Sequence, residues 1–374
     1  MRSIYLLVFL FKFLYASQFC SIEEATQKLR DLAQRNYLWW DRVKDAQWKD
    51  PSEFIKVVRN AGDRWTSITK QEEDRLWYSS SKLFGLGIRW DETGKIVKVY
   101  PDSSAYSYGL RPGDIIISVN AITDKNLWRS TIRETQGPVK VEFIRDGLVY
   151  QLDIPKAEFT IPIVEETSVH RFGDKVVGYI KLNNFTAPAV ESFRNALIQI
   201  SQVNPSILIL DLRDNGGGLI SVASSIAQMM IKGEGTMFYL EGRDKNYGVY
   251  EFQGRQPIYT GQIAVLVNKQ TASAAELLTS LLKYFAGAKV IGENTLGKHV
   301  GSNMYQLDNC GNIIRLITFQ MKLPDGKPVA TDRGIDPDCK FNQGKSPVED
   351  GLECLLKDPA PSLANPLAPR VPAQ

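Results

Sequence analysis

The sequence predicts an α/β core, a mainly β module inserted ahead of it, and a helical segment before both. Three observations carry this reading. From Val176 onward, apolar runs of strand length alternate with helix-length amphipathic stretches. Residues 84–155 hold short alternating strands separated by Gly and Pro turns. Residues 18–77 read helical and charged, and carry five of the seven tryptophans.

A chain of 374 residues that is 43% hydrophobic can bury two or three separate cores. Its formal charge of +3 includes Arg2 and Lys12, so removal of residues 1–17 leaves +1. That balance argues against nucleic acid as a partner.

The opening has the layout of a secretory signal peptide over residues 1–17. Met1-Arg2-Ser3 precedes an apolar run from Ile4 to Tyr15, interrupted by Lys12, and Ala16-Ser17 follows. The run is too short to span a bilayer, and the alternative is a buried N-terminal helix. Export to the periplasm or the medium is the expectation. Cys20 admits a lipid anchor, although Ser17-Gln18-Phe19 is a poor match to the small residues such processing prefers.

The helical segment, residues 18–77, contains Trp39, Trp40, Trp48, Trp65 and Trp77. That aromatic density requires a partner surface, either the rest of the chain or a second copy in a homodimer.

The mainly β segment, residues 78–155, opens with Phe84-Gly85-Leu86-Gly87-Ile88-Arg89-Trp90 as a strand, followed by a strand at Ile96 to Tyr100. A short helix at Ser103 to Tyr108 leads into Gly109-Leu110-Arg111-Pro112-Gly113-Asp114. A helix near Leu127 to Glu134 and strands at Val139 to Arg145 and Leu148 to Ile154 complete it. The Gly-Leu-Gly-Ile loop and the Gly-Leu-Arg-Pro-Gly-Asp run, in this order, resemble a PDZ domain. That resemblance implies that Phe84, Gly85, Leu86 and Gly87 hold a peptide carboxylate, that Ile88 to Trp90 pair with the peptide, and that Trp128 and Ile132 form the opposing wall. The bland alternative is that the glycines only make a turn.

In the core, residues 156–345, strands are expected at Val177 to Leu182, Ile207 to Leu212, Ile263 to Val267, Lys289 to Ile291 and Ile313 to Lys322. Helices are expected at Ala187 to Val203, Ile220 to Ile231 and Ala274 to Ala286. Residues 346–374 read as a Pro-rich tail, with five prolines in the last sixteen.

Four cysteines allow three full pairings, and the clustering of Cys310, Cys339 and Cys354 does not choose between them. No Cys-x-x-Cys pair occurs, and two histidines, His170 and His299, give no zinc spacing. No metal or cofactor is expected. His170 lies in Ser168-Val169-His170-Arg171, which reads as a solvated turn.

The chemistry concentrates between strands and helices. Asp211-Leu212-Arg213-Asp214-Asn215-Gly216-Gly217-Gly218 matches neither phosphate-loop pattern, yet it frees backbone N–H groups to face a ligand, as an oxyanion hole requires. Ser273 ends a polar turn at the start of a helix whose apolar face is Ala274, Leu277, Leu278, Leu281, Leu282 and Phe285. Ser273 and Glu276 also satisfy the capping-box pattern, so Ser273 reads either as a cap or as a nucleophile. A serine hydroxyl needs a base, and Lys298 can serve if burial leaves its amine neutral.

Ser273 in Thr-Ala-Ser-Ala-Ala-Glu, Lys298 in Gly-Lys, the glycine loop, Leu323-Pro324-Asp325-Gly326 and Gly334-Ile335-Asp336-Pro337-Asp338 together resemble the carboxyl-terminal processing (tail-specific) serine peptidases. The resemblance implies a crotonase- or ClpP-like core with Ser273 as nucleophile and Lys298 as base. It further implies Ala274 with Gly217 or Gly218 as oxyanion donors, and protein or peptide substrates with accessible C-termini. Where family members often carry a glutamine that orients the lysine, Ser302 stands here as the candidate. A catalytically weak member that only binds peptides is the alternative function.

Overall fold

The computed structural model describes residues 20–243, 247–342 and 344–357. The expected signal peptide, residues 1–17, and the tail from residue 358 lie outside these. Two compact units are present. One comprises the chain up to Asp74 together with the chain from Ile163 onward; the other is Arg75–Pro162.

The N-terminal part of the first unit contains α1 (Ile22–Asn36), a 3-10 turn at Trp40–Arg42 and α2 (Pro51–Asn60). Ser21 caps α1 through the Glu24 N–H, and Asp50 caps α2 through the Glu53 N–H, with Pro51 in the first turn. The segment is not wholly helical. Ser67–Lys70 form β1, ahead of α3 (Gln71–Ser80). Alternation in Ser-Ile-Thr-Lys is too short to register as a strand; the strand exists because β1 pairs antiparallel with a long strand far along the chain, Ser67 opposite Arg315.

The second unit runs through β2 (Lys82–Gly85), β3 (Ile88–Trp90), β4 (Ile96–Val99), α4 (Ser104–Ser107), β5 (Ile115–Val119), α5 (Trp128–Glu134), β6 (Val139–Arg145), β7 (Leu148–Ile154) and β8 (Ala157–Thr160). The single strand expected from Phe84 is two, split at Leu86-Gly87, because Gly87 takes φ +79° and its Cα approaches Ser103 so closely that a Cβ would lie 2.1 Å from that side chain. β2 pairs with β8, β3 with β4, and β5-β6-β7 form an antiparallel sheet. Its core collects Leu86, Ile96, Leu110, Ile116, Trp128, Val141 and Phe143.

The remainder of the first unit begins with β9 (Val164–Phe172), β10 (Lys175–Leu182), α6 (Ala189–Ser201), β11 (Ile207–Asp211) and α7 (Ile220–Ala227). It continues with β12 (Thr236–Gly242), β13 (Tyr247–Glu251), β14 (Gln262–Val267), α8 (Ala274–Ala286), β15 (Lys289–Gly292), β16 (Val300–Gln306), β17 (Asn312–Lys322) and α9 (Pro347–Lys357). The central sheet has the order β15-β14-β11-β10-β9. Its first four strands are parallel and β9 closes the edge antiparallel. His170 therefore lies in an edge strand opposite Val177 and not in a turn; pairing with β10 supplies the order that its charged sequence conceals.

Strand residues alternate between two cores, as the period of two demands. Ile180, Leu208, Leu210, Val265 and Val290 face α6, α7 and α8, whereas Tyr179, Ile207, Ile209, Leu266 and Ile291 face α9. α9 corrects the expected tail: Val348, Cys354 and Leu355 are buried against the sheet, and Cys339–Cys354 ties the helix down. A second sheet, β1-β17-β12-β13 with β16 on β17, supports the N-terminal helices. Trp48, Tyr37 and Phe54 are buried there with Val300, Leu316 and Ile317, so the chain itself is the partner surface for Trp48, with Trp39, Trp40 and Trp65 packed alongside. The second disulfide joins Cys20 to Cys310. With that sulfur occupied, Cys20 is a crosslink and not a lipid anchor. Among the described residues, no helix is long and apolar enough to cross a membrane.

Candidate active site

Two strand-to-helix loops meet beyond the carboxyl ends of β11 and β14. Thr271 donates its hydroxyl to Leu212 O at 2.8 Å and accepts from Asn268 N at 3.0 Å. Asp214 and Asn268 exchange hydrogen bonds, N to Oδ1 at 2.9 Å and Nδ2 to Oδ1 at 3.0 Å. Ala272 N donates to Asn215 O at 3.0 Å. Beneath them Asp211, fully buried, is clasped by the Arg213 guanidinium and accepts from Tyr179 Oη at 2.7 Å. The buried carboxylate is satisfied by the Arg213 backbone N–H and guanidinium together with the Tyr179 hydroxyl.

Ser273 sits at the N-terminus of α8, partly exposed, with φ +57° and ψ −119°. A left-handed conformation is costly for a residue with a side chain and is kept only where the surroundings impose it. The helix behind it is rigid: Leu277, Leu278, Leu281 and Leu282 are fully buried, worth about 1.5–3 kcal/mol each. Gly217 packs against the turn so tightly that a Cβ there would lie 2.9 Å from Ser273 Cβ and 2.9 Å from Ala274 N.

The glycine amides are not equivalent. Gly217 N donates to Asn215 Oδ1 at 2.9 Å, so the side chain that shapes the turn already consumes that donor. Gly218, bridged to Phe185 with φ +150°, donates no hydrogen bond among the described residues, and neither does Ala274 at the first helical position. Of the expected oxyanion glycines, Gly218 keeps its N–H available and Gly217 does not.

Glu276, fully buried, organises the other side. Its Oε2 accepts from Ser273 N at 2.7 Å and from Lys298 N at 2.9 Å; its Oε1 accepts from Gly297 N at 2.8 Å and Thr295 Oγ1 at 2.5 Å. One carboxylate thus ties the serine turn to the lysine loop. The capping-box pattern signalled the first of these bonds, while the other three come from a loop about 20 residues away.

Lys298 is half-buried, and its Nζ makes no hydrogen bond or ion pair among the described residues. The amine lies 5.1 Å from the centre of the Trp65 ring. Desolvation, and then the Arg315 charge, push its pKa below the ordinary lysine value; Asp63 and Glu276 act in the opposite sense. Ser302, the expected orienting residue, lies on β16 opposite Ile317, next to a bulge between Gly301 and Ser302, and makes no hydrogen bond to Lys298 among the described residues. Trp65, Asp63 and Arg315 were not legible as neighbours of Lys298: they come from the N-terminal segment and from β17, with no local pattern linking them.

In the second unit, Leu86 and Gly87 donate no hydrogen bonds among the described residues, and Phe84 is exposed. Ile88 and Ile132 pack partly buried on the core, with Gly85 ending β2. Trp128 does not line a groove. It is fully buried in the core of this unit, with Trp90 packed alongside, and its Nε1 donates to Ile122 O at 2.8 Å, the partner a buried indole N–H requires.

Comparison with known proteins agrees with this architecture. A carboxyl-terminal-processing peptidase 1 of Arabidopsis thaliana is 27% identical over 348 residues, covering 85% of this chain and 70% of that protein. The carboxy-terminal processing protease CtpA of Bacillus subtilis is 28% identical, covering 76% of this chain and 62% of its own length. In fold, the chain is similar to a photosystem II D1 C-terminal processing protease, with TM-score 0.61, 20% identity and coverage of 91% and 98% of the two chains. A putative S41 protease from Bacteroides fragilis gives TM-score 0.63 at 18% identity, covering 87% and 96%. Residues 176–341, which hold Ser273, Lys298 and the glycine loop, match the model of peptidase family S41, and these similarities support a serine-type peptidase.

Proposed function

We propose that the protein is an exported serine endopeptidase that works through a Ser273–Lys298 dyad on protein chains recognised by their C-terminus. The observation that carries this is the shared carboxylate of Glu276, which ties the backbone of a strained, partly exposed serine at a helix N-terminus to that of a lysine with a depressed pKa. In this reading Ser273 Oγ attacks a peptide carbonyl while neutral Lys298 takes its proton, and the N–H groups of Ala274 and Gly218 receive the developing oxyanion. Collapse passes that proton to the leaving amine and leaves an acyl-enzyme, which water hydrolyses. The amides of Leu86 and Gly87 are the proposed seat of the substrate carboxylate, with Ile88 to Trp90 as the pairing strand. Two disulfides favour an oxidising compartment.

The test is incubation of the protein with an unfolded polypeptide, beside Ser273→Ala and Lys298→Ala. Cleavage lost in both variants is expected, as is slower cleavage of peptides whose C-terminus is amidated. Retained peptide binding without cleavage by the unmutated protein would replace this reading with that of a peptide-binding protein.

A further inference from the structure

We propose that Trp65 is a positioning residue for Lys298: its indole walls the amine from water and fixes where the end of that side chain rests. This deepens the dyad reading and rests on it. The geometry is specific. The backbone of Lys298 is anchored by Glu276, but its Nζ has no hydrogen-bonding partner among the described residues, and the ring of Trp65 stands 5.1 Å away. The ring is itself held. Trp65 N donates to Asp63 Oδ1 at 2.7 Å, and Asp63 is fully buried, accepting also from Thr66 N and from Tyr37 Oη at 3.0 Å each. The Arg64 guanidinium lies 4.8 Å from the same indole. Trp65 also packs with the buried cluster of Tyr37, Phe54 and Val300, and Val300 follows Lys298 by two residues.

The charged groups around the amine act on it at a distance and are bonded to other partners. Arg315, from β17, is paired with Asp74; Asp63 is paired with Arg59; Glu276 spends both oxygens on other donors. The neighbouring His299 faces Asp332 at 3.8 Å. An indole face attracts an ammonium, which favours the charged amine, whereas exclusion of water favours the neutral one. Burial is the leading cause that lowers the Lys298 pKa, and the indole 5.1 Å from the amine is part of the surface that buries it. The direction in which the titration moves on removal of the ring decides between the two effects. Trp65 lies outside residues 176–341, so the N-terminal segment becomes part of the site and not only of the fold.

The experiment reads the Lys298 amine directly. Trace acetylation with isotopic acetic anhydride across pH, quantified at Lys298 by mass spectrometry in a Ser273→Ala background, gives its titration without any turnover. Trp65→Ala should move that titration to higher pH, with Trp65→Phe moving it less. In the Ser273 protein, the alkaline rise of kcat/KM should move with it, and kcat near neutral pH should fall by about tenfold or more while KM changes little. A titration that stays in place in both folded variants overturns the proposal, whatever happens to activity; thermal melts identify the folded ones, and Trp65→Leu replaces Trp65→Ala if that variant does not fold. Absence of Ser273-dependent cleavage by the unmutated protein would sink the dyad reading, while the labelling would still decide the role of Trp65.

Discussion

Ser273 and Lys298 donate their backbone N–H groups to the same oxygen, Oε2 of Glu276, at 2.7 and 2.9 Å. The two nitrogens therefore lie within two hydrogen-bond lengths of each other, although 24 residues separate them in the chain. The carboxylate holds both backbones, and neither of these two bonds uses the Ser273 or Lys298 side chain.

Glu276→Gln replaces an acceptor-only group with one that must turn an NH2 toward two of four donors. At least one buried donor is left unsatisfied, costing about 1–3 kcal/mol. Denaturant melts should register that loss, and kcat should fall by about a hundredfold, with KM changing far less. Activity within a few-fold of the unmutated protein would show that the shared carboxylate is dispensable.

At Gly217 the prediction is steric. Gly217→Ala would place a methyl group 2.7 Å from Ala272 O and 2.9 Å from Ser273 Cβ, at φ +95°. Backbone strain alone costs about 1–3 kcal/mol, and relief requires displacing the serine turn. Steady-state kinetics should report loss of nearly all cleavage in a protein that still melts cooperatively. Gly216→Ala, where no heavy atom lies within 4 Å, is the control expected to retain activity.

The depressed pKa of Lys298 has a stability consequence with a defined sign. The unfolded lysine binds a proton at pH values where the folded one has lost it, so the penalty is complete below the folded pKa. It fades as pH rises toward the ordinary lysine value. Lys298→Met should therefore abolish cleavage yet raise the melting temperature near neutral pH, with the gain shrinking on the alkaline side. A pH-independent difference in melting temperature would contradict the burial argument.

Cys339–Cys354 closes a short loop, with a sequence separation of 15, and pins α9 over the sheet. Replacing both cysteines by serine should cost about 3 kcal/mol. Hydrogen exchange should rise first in residues 347–357. Protection there equal to that of the unmutated protein would mean that burial of Val348 and Leu355 holds the helix by itself.

The central strands, α8 and the glycine loop were legible because each is a local pattern: apolar runs of five or six, a continuous helical face, three glycines after an aspartate. β1, β9 and α9 were not, because each is stabilised by pairing or packing with distant chain. Ser67 needs Arg315 opposite it, His170 needs Val177, and α9 needs the far face of the sheet.

The same division holds within the site. By itself, the sequence singled out the candidates for chemistry, a serine at a helix start, a lysine after a glycine, and amides in a glycine turn, since these follow from residue type and local backbone. Tertiary structure alone decided what surrounds them. It gave the Gly217 N–H to Asn215, left Ser302 unbonded to Lys298, buried Trp128 in a core and brought Trp65 to the lysine amine. Desolvation and hydrogen-bond satisfaction depend on every group within a few ångströms, and the groups that surround Lys298 come from positions 63, 65, 276 and 315 of the chain.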